Sequence, residues 1–123
     1  MFTKAISLSL LVTLLLAPGA SAHSKLIEST PRANTTVKVL PPRISVEFNE
    51  KILVINKKSA STLMITDSTG KQVDGKDSAI DGRKISVSLK PTAKPGRIRA
   101  RYHVISEDGH SIDGTFVFTY KNK

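Results

Sequence analysis

The chain has 123 residues, with 19 Lys and Arg against 10 Asp and Glu and a formal net charge of +9. This size fits one small basic domain and excludes a large multidomain enzyme. The sequence has no cysteine, which excludes disulfides, thiolate metal sites, iron–sulfur clusters and cysteine nucleophiles. Any metal chemistry therefore falls to the histidines, the carboxylates, methionine or a chain terminus. The three histidines are His23, His103 and His110.

Residues 1–22 have the pattern of a secretory signal peptide. Lys4 precedes an uncharged apolar run over residues 5–17, and this run is shorter than the roughly 20 residues that a membrane span needs. A Pro-Gly pair breaks the run, and an Ala-Ser-Ala cleavage site ends at Ala22. The sequence therefore predicts cleavage after Ala22 and an exported, periplasmic protein.

The predicted mature domain, residues 23–123, begins with His23 and has no membrane span. Its basic residues are dispersed and have no aromatic stacking platform between them, so the sequence does not predict nucleic-acid binding. Outside the cell membrane, such a charge favours anionic lipid and cell-surface polyanions as neighbours.

The mature chain alternates apolar and polar residues with period two, and turn residues divide it about every ten positions. The predicted strands cover residues 25–28, 43–49, 62–66, 84–89, 97–106 and 115–120, with a further hairpin after the turn at 67–70. This pattern predicts an all-β, seven-stranded Greek key barrel or sandwich of the immunoglobulin-like class. A domain this small has little volume for a deep substrate pocket, so binding is favoured over catalysis.

An N-terminal histidine can chelate a metal ion by itself, because its α-amine and Nδ1 close a six-membered ring. Cleavage after Ala22 would create this arrangement at His23. A second imidazole would complete three nitrogens in a nearly planar set, and Cu(II) is the ion that such a set selects.

The candidate for the second imidazole is His110, in the turn before the last strand. Asp108 lies two residues earlier, and side chains at i and i+2 of an extended or turn backbone project to the same side. Gly109 between them permits an unusual φ angle. Taken alone, Asp-Gly-His is more often a turn with a solvated histidine. Its pairing with an N-terminal histidine favours a metal site.

The mature chain resembles the CopC family of exported copper-binding proteins over essentially its whole length. The residues that carry the resemblance are His23, Leu26, Ser29-Thr30-Pro31, Pro42, Phe48-Asn49-Glu50, Gly70, Lys94-Pro95-Gly96, the run from Tyr102 to His110, Gly114 and Phe118. The resemblance implies a cupredoxin-like Greek key β-barrel that binds one Cu(II) ion outside the inner membrane. It also implies an inner-membrane copper transporter of the CopD type as partner.

The resemblance implies a role for four residues. The amine and imidazole of His23 and the imidazole of His110 would form the equatorial ligands, and Asp108 would be a weaker axial oxygen ligand. Glu50 falls where the family often has an acidic residue near the metal, and would lie just outside the ligands.

Two residues depart from the family pattern. Some members have a Cu(I) site in a methionine-rich loop, whereas the mature chain has only Met64, between Leu63 and Ile65, which we interpret as a core or strand residue. Tyr102 stands where the family usually has Trp.

His103 is predicted to face outward next to Tyr102, as an exposed or locally hydrogen-bonded histidine and not as a ligand.

The leading hypothesis is a non-enzymatic Cu(II) carrier or buffer in copper homeostasis or resistance, which delivers copper to a membrane transporter or another copper protein. One alternative is a copper-dependent oxidative enzyme, because a histidine-brace site uses the same N-terminal chelate. The other is a metal-free immunoglobulin-like interaction module.

Overall fold

The computed structural model describes residues 26–123, which form eight β-strands in two four-stranded sheets. The strands are β1 Leu26–Thr30, β2 Thr36–Val37, β3 Arg43–Phe48, β4 Thr62–Thr66, β5 Ala79–Asp81, β6 Lys84–Ser88, β7 Gly96–Ile105 and β8 Ser111–Tyr120. The first sheet has the order β1-β3-β6-β5 and the second has the order β2-β8-β7-β4. Neighbouring strands are antiparallel, except that β2 runs parallel to β8. Among these residues no helix is long and apolar enough to cross a membrane.

The predicted all-β class is confirmed, and the strand count is eight where the sequence predicted seven. The strands without a clear pattern are β2 and β5, which have only two and three residues and so cannot display an alternation. The last strand begins at Ser111, four residues before its predicted start. Asp113 and Gly114 resemble turn residues, but they pair with His103 and Tyr102 across β7.

The apolar residues of the alternating strands face one another between the two sheets and form a single core. Strands β3, β4, β6 and β7 bury every second residue, as the period-two pattern predicts. The side chains that are almost completely buried include Ile44, Val46, Phe48, Ile65, Val73, Ile85, Val87, Ile98, Val104 and Phe118.

The Tyr102 ring occupies the space above Gly114, its partner on β8. A methyl group placed on Gly114 would overlap both the hydroxyl and the ring of Tyr102. The same ring meets Phe48 of the first sheet edge-on, with a centroid distance of 5.4 Å and an interplanar angle of 71°. Burial of Tyr102 also raises the pKa of its phenol. The lack of a side chain at Gly114 therefore leaves the space in which the Tyr102 ring packs between the sheets.

We predict that Gly114→Ala lowers the free energy of unfolding by about 1–3 kcal/mol, which is the usual cost of overpacking. Urea unfolding followed by circular dichroism measures this loss. In a Tyr102→Ala background the same substitution should cost much less, because the overlapping ring is gone. An equal cost in both backgrounds would contradict this account of Gly114.

Asp67 organises the turn after β4 through four hydrogen bonds. Its Oδ1 accepts from the Thr69 amide at 2.9 Å, the Thr69 hydroxyl at 2.5 Å and the Lys71 amide at 3.2 Å. Its Oδ2 accepts from the Lys94 amide at 3.2 Å, which ties this turn to the one before β7. The Thr69 hydroxyl is the main cause that lowers the pKa of Asp67 to about 2, and the backbone amides add to the effect.

This lowered pKa predicts a pH-dependent contribution of Asp67 to stability. The unfolded chain binds a proton at Asp67 more readily than the folded chain does, so the contribution is present at neutral pH and is lost as the pH falls from about 4 towards 2. We expect Asp67→Asn to be less stable than the parent at pH 7 and to approach it near pH 2. Urea midpoints across this range test the prediction, and a constant difference would contradict it.

Candidate metal centre

The turn that joins β7 to β8 lies at one end of the barrel, beside the segment that follows β3. The Leu53 amide donates to the Ile105 carbonyl at 2.8 Å, and the Glu107 amide donates to the Lys51 carbonyl at 3.0 Å. These backbone hydrogen bonds hold the two segments side by side. The β7–β8 turn carries Asp108 and His110, and the segment after β3 carries Glu50. All three residues therefore lie at the same end of the barrel.

Asp108 shapes the β7–β8 turn from within. Its Oδ1 accepts a hydrogen bond from the Ser106 hydroxyl and another from the His110 amide at 3.1 Å. The Gly109 amide donates to the Ser106 carbonyl, and the Ser106 amide donates to the His110 carbonyl, each at 2.9 Å. Gly109 has a φ of +88°, a conformation that glycine adopts without strain. The turn thus has a defined geometry that brings Asp108 and His110 to the same side.

The side chains of Asp108 and His110 also contact each other. Oδ2 of Asp108 lies 3.1 Å from Nδ1 of His110, and the side chains are 39% and 58% exposed. The Ser106 hydroxyl is the main cause that holds the pKa of Asp108 far below its usual range, and the His110 amide and ring lower it further. Asp108 is therefore a carboxylate at any physiological pH, and an anionic oxygen lies beside an imidazole at the rim of the barrel.

The beginning of β1 lies at this same end of the barrel. Leu26, the first residue of β1, pairs with Phe48, the last residue of β3. Glu50 follows only two residues later and is half-buried. The start of the first strand and the segment carrying Glu50 are therefore close to each other, and both are close to the turn with His110.

Two of the predicted ligands, Asp108 and His110, are in contact, and Glu50 lies at the same end of the fold. His23 lies outside the described residues. Within residues 26–123, no group of three or more His, Cys, Asp or Glu side chains is placed to hold a metal ion. The complete donor set that the sequence predicts includes His23, and it stays a prediction.

The other sequence-based interpretations concern β7 and β4. His103 is exposed on the outer face of the second sheet, and its Nδ1 lies 2.5 Å from Oδ1 of Asp113 on β8. The prediction of an outward, locally hydrogen-bonded histidine is confirmed. Met64 is a half-buried residue of β4, on the face opposite to the buried Leu63 and Ile65. It is a strand residue, as predicted, and it lies outside the core.

Ser106 is a residue of the candidate site that the sequence analysis did not single out. It is 1% exposed, and its hydroxyl donates to Asp108 and lies 3.2 Å from the His110 carbonyl. A signal was present in the sequence, because Ser106 continues the inward-facing positions 100, 102 and 104 of β7. A polar residue at a buried position needs a hydrogen-bond partner, and the nearby Asp108 provides one.

Comparisons with known proteins agree on one family. The profile of the CopC domain matches residues 26–121. Protein YobA of Escherichia coli K12 is 30% identical over 118 residues, which are 94% of this chain and 92% of YobA. Copper resistance protein C of Xanthomonas campestris pv. juglandis is 30% identical over 113 residues, which are 87% of each chain.

A solved structure agrees with this assignment. The crystal structure of CopC from Methylosinus trichosporium OB3b superimposes with a TM-score of 0.70 and 26% identity, covering 80% of this chain and 94% of that one. The domain match, the two relatives and the shared fold lead to the same assignment, and the chain belongs to the CopC family.

Proposed function

We propose that this protein binds one Cu(II) ion in the periplasm and acts as a carrier or buffer in copper homeostasis or resistance. It would pass the ion to an inner-membrane transporter of the CopD type or to another copper protein. Membership of the CopC family supports a copper-handling role, as does the relative that is named copper resistance protein C. The role requires export, cleavage after Ala22 and a mature domain of residues 23–123, all of which belong to the proposal.

The proposed donors are the amine and Nδ1 of His23, the imidazole of His110 and a carboxylate oxygen of Asp108. Nitrogen and oxygen donors of this kind suit Cu(II) better than the soft Cu(I) ion. Oδ1 of Asp108 accepts two hydrogen bonds within the turn, whereas Oδ2 contacts the His110 ring, so Oδ2 is the oxygen that would reach an ion bound by that ring. Glu50 would lie beside the site and add negative charge near the cation.

The observation that carries the proposal is the contact between Asp108 and His110 at the end of the barrel where β1 begins. His23 precedes Leu26 by only three residues, and three residues of extended chain are at most about 10 Å long. A mature amino terminus at His23 would therefore start within about 10 Å of Leu26, at the end of the barrel that carries the β7–β8 turn.

The exposure of the two described donors supports a carrier. Asp108 and His110 lie at the rim, 39% and 58% exposed, so a partner protein could replace the donors one at a time. A carrier needs such access, because an ion that is enclosed by protein must wait for the fold to open before it leaves. No turnover of a substrate is required, and we propose that the protein is not an enzyme.

We predict that His110→Ala weakens Cu(II) binding by more than about 100-fold. Loss of a residue that only hydrogen-bonds to a metal ligand already costs about 10–100-fold in affinity, and loss of a ligand should cost more. His103→Ala is the matched control, because it removes another exposed histidine with an aspartate partner. Competitive titration of the exported protein with a chromophoric chelator measures both affinities. Equal binding by the two variants would contradict the proposal and favour a metal-free interaction module.

The contribution of the carboxylate is tested by a second matched pair. Asp108→Asn should weaken Cu(II) binding more than Asp113→Asn, although both substitutions remove one charge next to a histidine. Electron paramagnetic resonance of the Asp108→Asn complex should report a changed axial environment with the nitrogen donors retained. Equal affinities and identical spectra for the two variants would remove Asp108 from the ligand set.

The role of His23 is tested at the chain terminus. Intact-mass spectrometry of the exported protein should give the mass of residues 23–123. Addition of one Ala before His23 should weaken binding by at least as much as His110→Ala, because the amine can then no longer close the six-membered ring. Full affinity in the extended protein, or a different first residue, would exclude the chelate.

The enzymatic alternative has its own readout. A histidine-brace enzyme loaded with copper would release soluble oxidised oligosaccharides from chitin or cellulose in the presence of a reductant and peroxide. We expect no such product, and its formation would replace the carrier role with an oxidative one.

A further inference from the structure

Three arginines form a row on the outer face of the second sheet. Arg97, Arg99 and Arg101 occupy alternate positions of β7 and are all exposed. Residues at i and i+2 of a strand are about 6.6 Å apart, so the backbone positions of the row span about 13 Å. We name these three residues the arginine row. Its neighbours across the sheet are the uncharged residues Thr66, Met64, Thr115, Val117 and Thr119.

In the part of the chain that the structure describes, no ion pair includes a member of the arginine row. Asp113 on the same face is held by His103. Asp67, at the other end of the row, is 5% exposed and accepts hydrogen bonds from the turn that it organises. None of the three arginines therefore has a carboxylate within ion-pair distance among the described residues.

The outer face of the first sheet has a different charge pattern. Arg43 lies 3.6 Å from Asp77, and Lys84 lies opposite Glu47 in the register of β3 and β6. Basic residues of this face therefore have carboxylates close to them, which the three arginines of β7 do not.

The face with the arginine row continues into an apolar groove. Ile105 is the next outward position of β7 after Arg101 and His103, and it lines an open groove together with Leu53 and Ile55. Beyond the groove a short hairpin projects, closed by paired backbone hydrogen bonds between Ile55 and Lys58.

The tip of this hairpin combines exposed apolar and cationic side chains. Val54 and Ile55 are 44% and 60% exposed, which is unusual for large apolar residues. Asn56 and Lys57 at the tip have φ angles of +52° and +63°, and Lys58 follows. We name residues 53–58 the hairpin. It places apolar surface beside two lysines, and the groove next to it begins at Ile105, two outward positions of β7 beyond Arg101.

We propose that the arginine row and the hairpin together form a docking surface for an anionic phospholipid bilayer. The arginines would lie against the phosphate headgroups, and Val54 and Ile55 would enter the boundary between the headgroups and the acyl chains. Reversible attachment to a membrane surface generally needs both electrostatic attraction and apolar insertion, and this face supplies both.

A bilayer fits these observations better than an acidic protein does. The arginines lie on the open outer face of a sheet and have no ion-pair partner among the described residues, which suits a broad charged surface. An acidic protein surface would attract the lysines but would not favour contact with the exposed Val54 and Ile55. The headgroup boundary of a bilayer accommodates both apolar and cationic side chains.

Co-sedimentation with vesicles tests the proposal. The exported protein, metal-free and without residues 1–22, is mixed with vesicles of phosphatidylglycerol and phosphatidylcholine or of phosphatidylcholine alone. We expect binding only to the vesicles that contain phosphatidylglycerol, and weaker binding as salt is raised above about 0.1 M, where the Debye length is about 10 Å. Absence of binding to the anionic vesicles would overturn the proposal.

The arginine row is tested by the triple variant R97Q/R99Q/R101Q. Each arginine near an anionic surface is worth roughly fivefold in binding, so the triple variant should bind about 100-fold more weakly. The control R83Q/K84Q/K90Q removes the same charge from exposed positions on and next to β6. It should bind within severalfold of the parent. An equal loss in both triple variants would mean that only net charge matters and would overturn the assignment to this face.

The hairpin is tested by V54S/I55S, with V39S as the control for an exposed apolar residue elsewhere, since Val39 is 79% exposed. We expect V54S/I55S to bind roughly tenfold more weakly and V39S to bind as the parent does. Circular dichroism and thermal unfolding verify that each variant is folded, and the single variant R99Q provides a milder test of the row. Tight binding to polyglutamate with none to vesicles would replace the bilayer with an acidic protein.

Discussion

The edge-to-face contact between Phe48 and Tyr102 joins the two sheets at the end of the barrel where the candidate metal centre lies. Phe48 ends β3, and Tyr102 is near the end of β7, so the contact aligns the two segments that continue to Glu50 and to His110. The sequence has no disulfide to take over this function. Gly114 leaves the room for the Tyr102 ring, and its position opposite that ring is therefore as important as the aromatic residues themselves.

The candidate centre is rigid on one side and accessible on the other. Ser106 is buried and fixes Asp108, and Asp108 in turn contacts His110. Both of the latter side chains reach the solvent. A pre-oriented but accessible pair of donors suits a protein that takes up and releases an ion, because the donors need little reorganisation and the ion can leave by ligand exchange. The proposed carrier role and the geometry of the turn are consistent with each other.

The two outer faces of the sandwich differ in a way that net charge alone does not reveal. The first sheet pairs Arg43 with Asp77, whereas the second sheet leaves the arginine row without carboxylate partners among the described residues. The row leads to the hairpin, which adjoins the β7–β8 turn through the Leu53–Ile105 hydrogen bond. A protein docked to a bilayer by this face would hold its proposed copper site close to the membrane surface, within reach of a membrane-embedded partner.

The sequence by itself determined the all-β class, because the period-two alternation over residues 43–49 and 97–106 allows only strands with one buried face. It also determined that His103 faces outward, since the alternation of β7 requires it, and that Asp108 and His110 share one turn. The resemblance in residues 102–110 led to the family that the comparisons established.

Tertiary structure decided what depends on contacts between distant residues. The short strands β2 and β5 have too few residues to show a period, and Gly114 fell before the predicted start of the last strand although it is a residue of β8 that makes room for Tyr102. The buried hydrogen bond from Ser106 to Asp108 and the arrangement of Glu50 beside the β7–β8 turn arise from packing. Tertiary structure also decided that the arginine row has no ion-pair partner among the described residues, because a count of charges does not show which carboxylates lie within reach of which arginines.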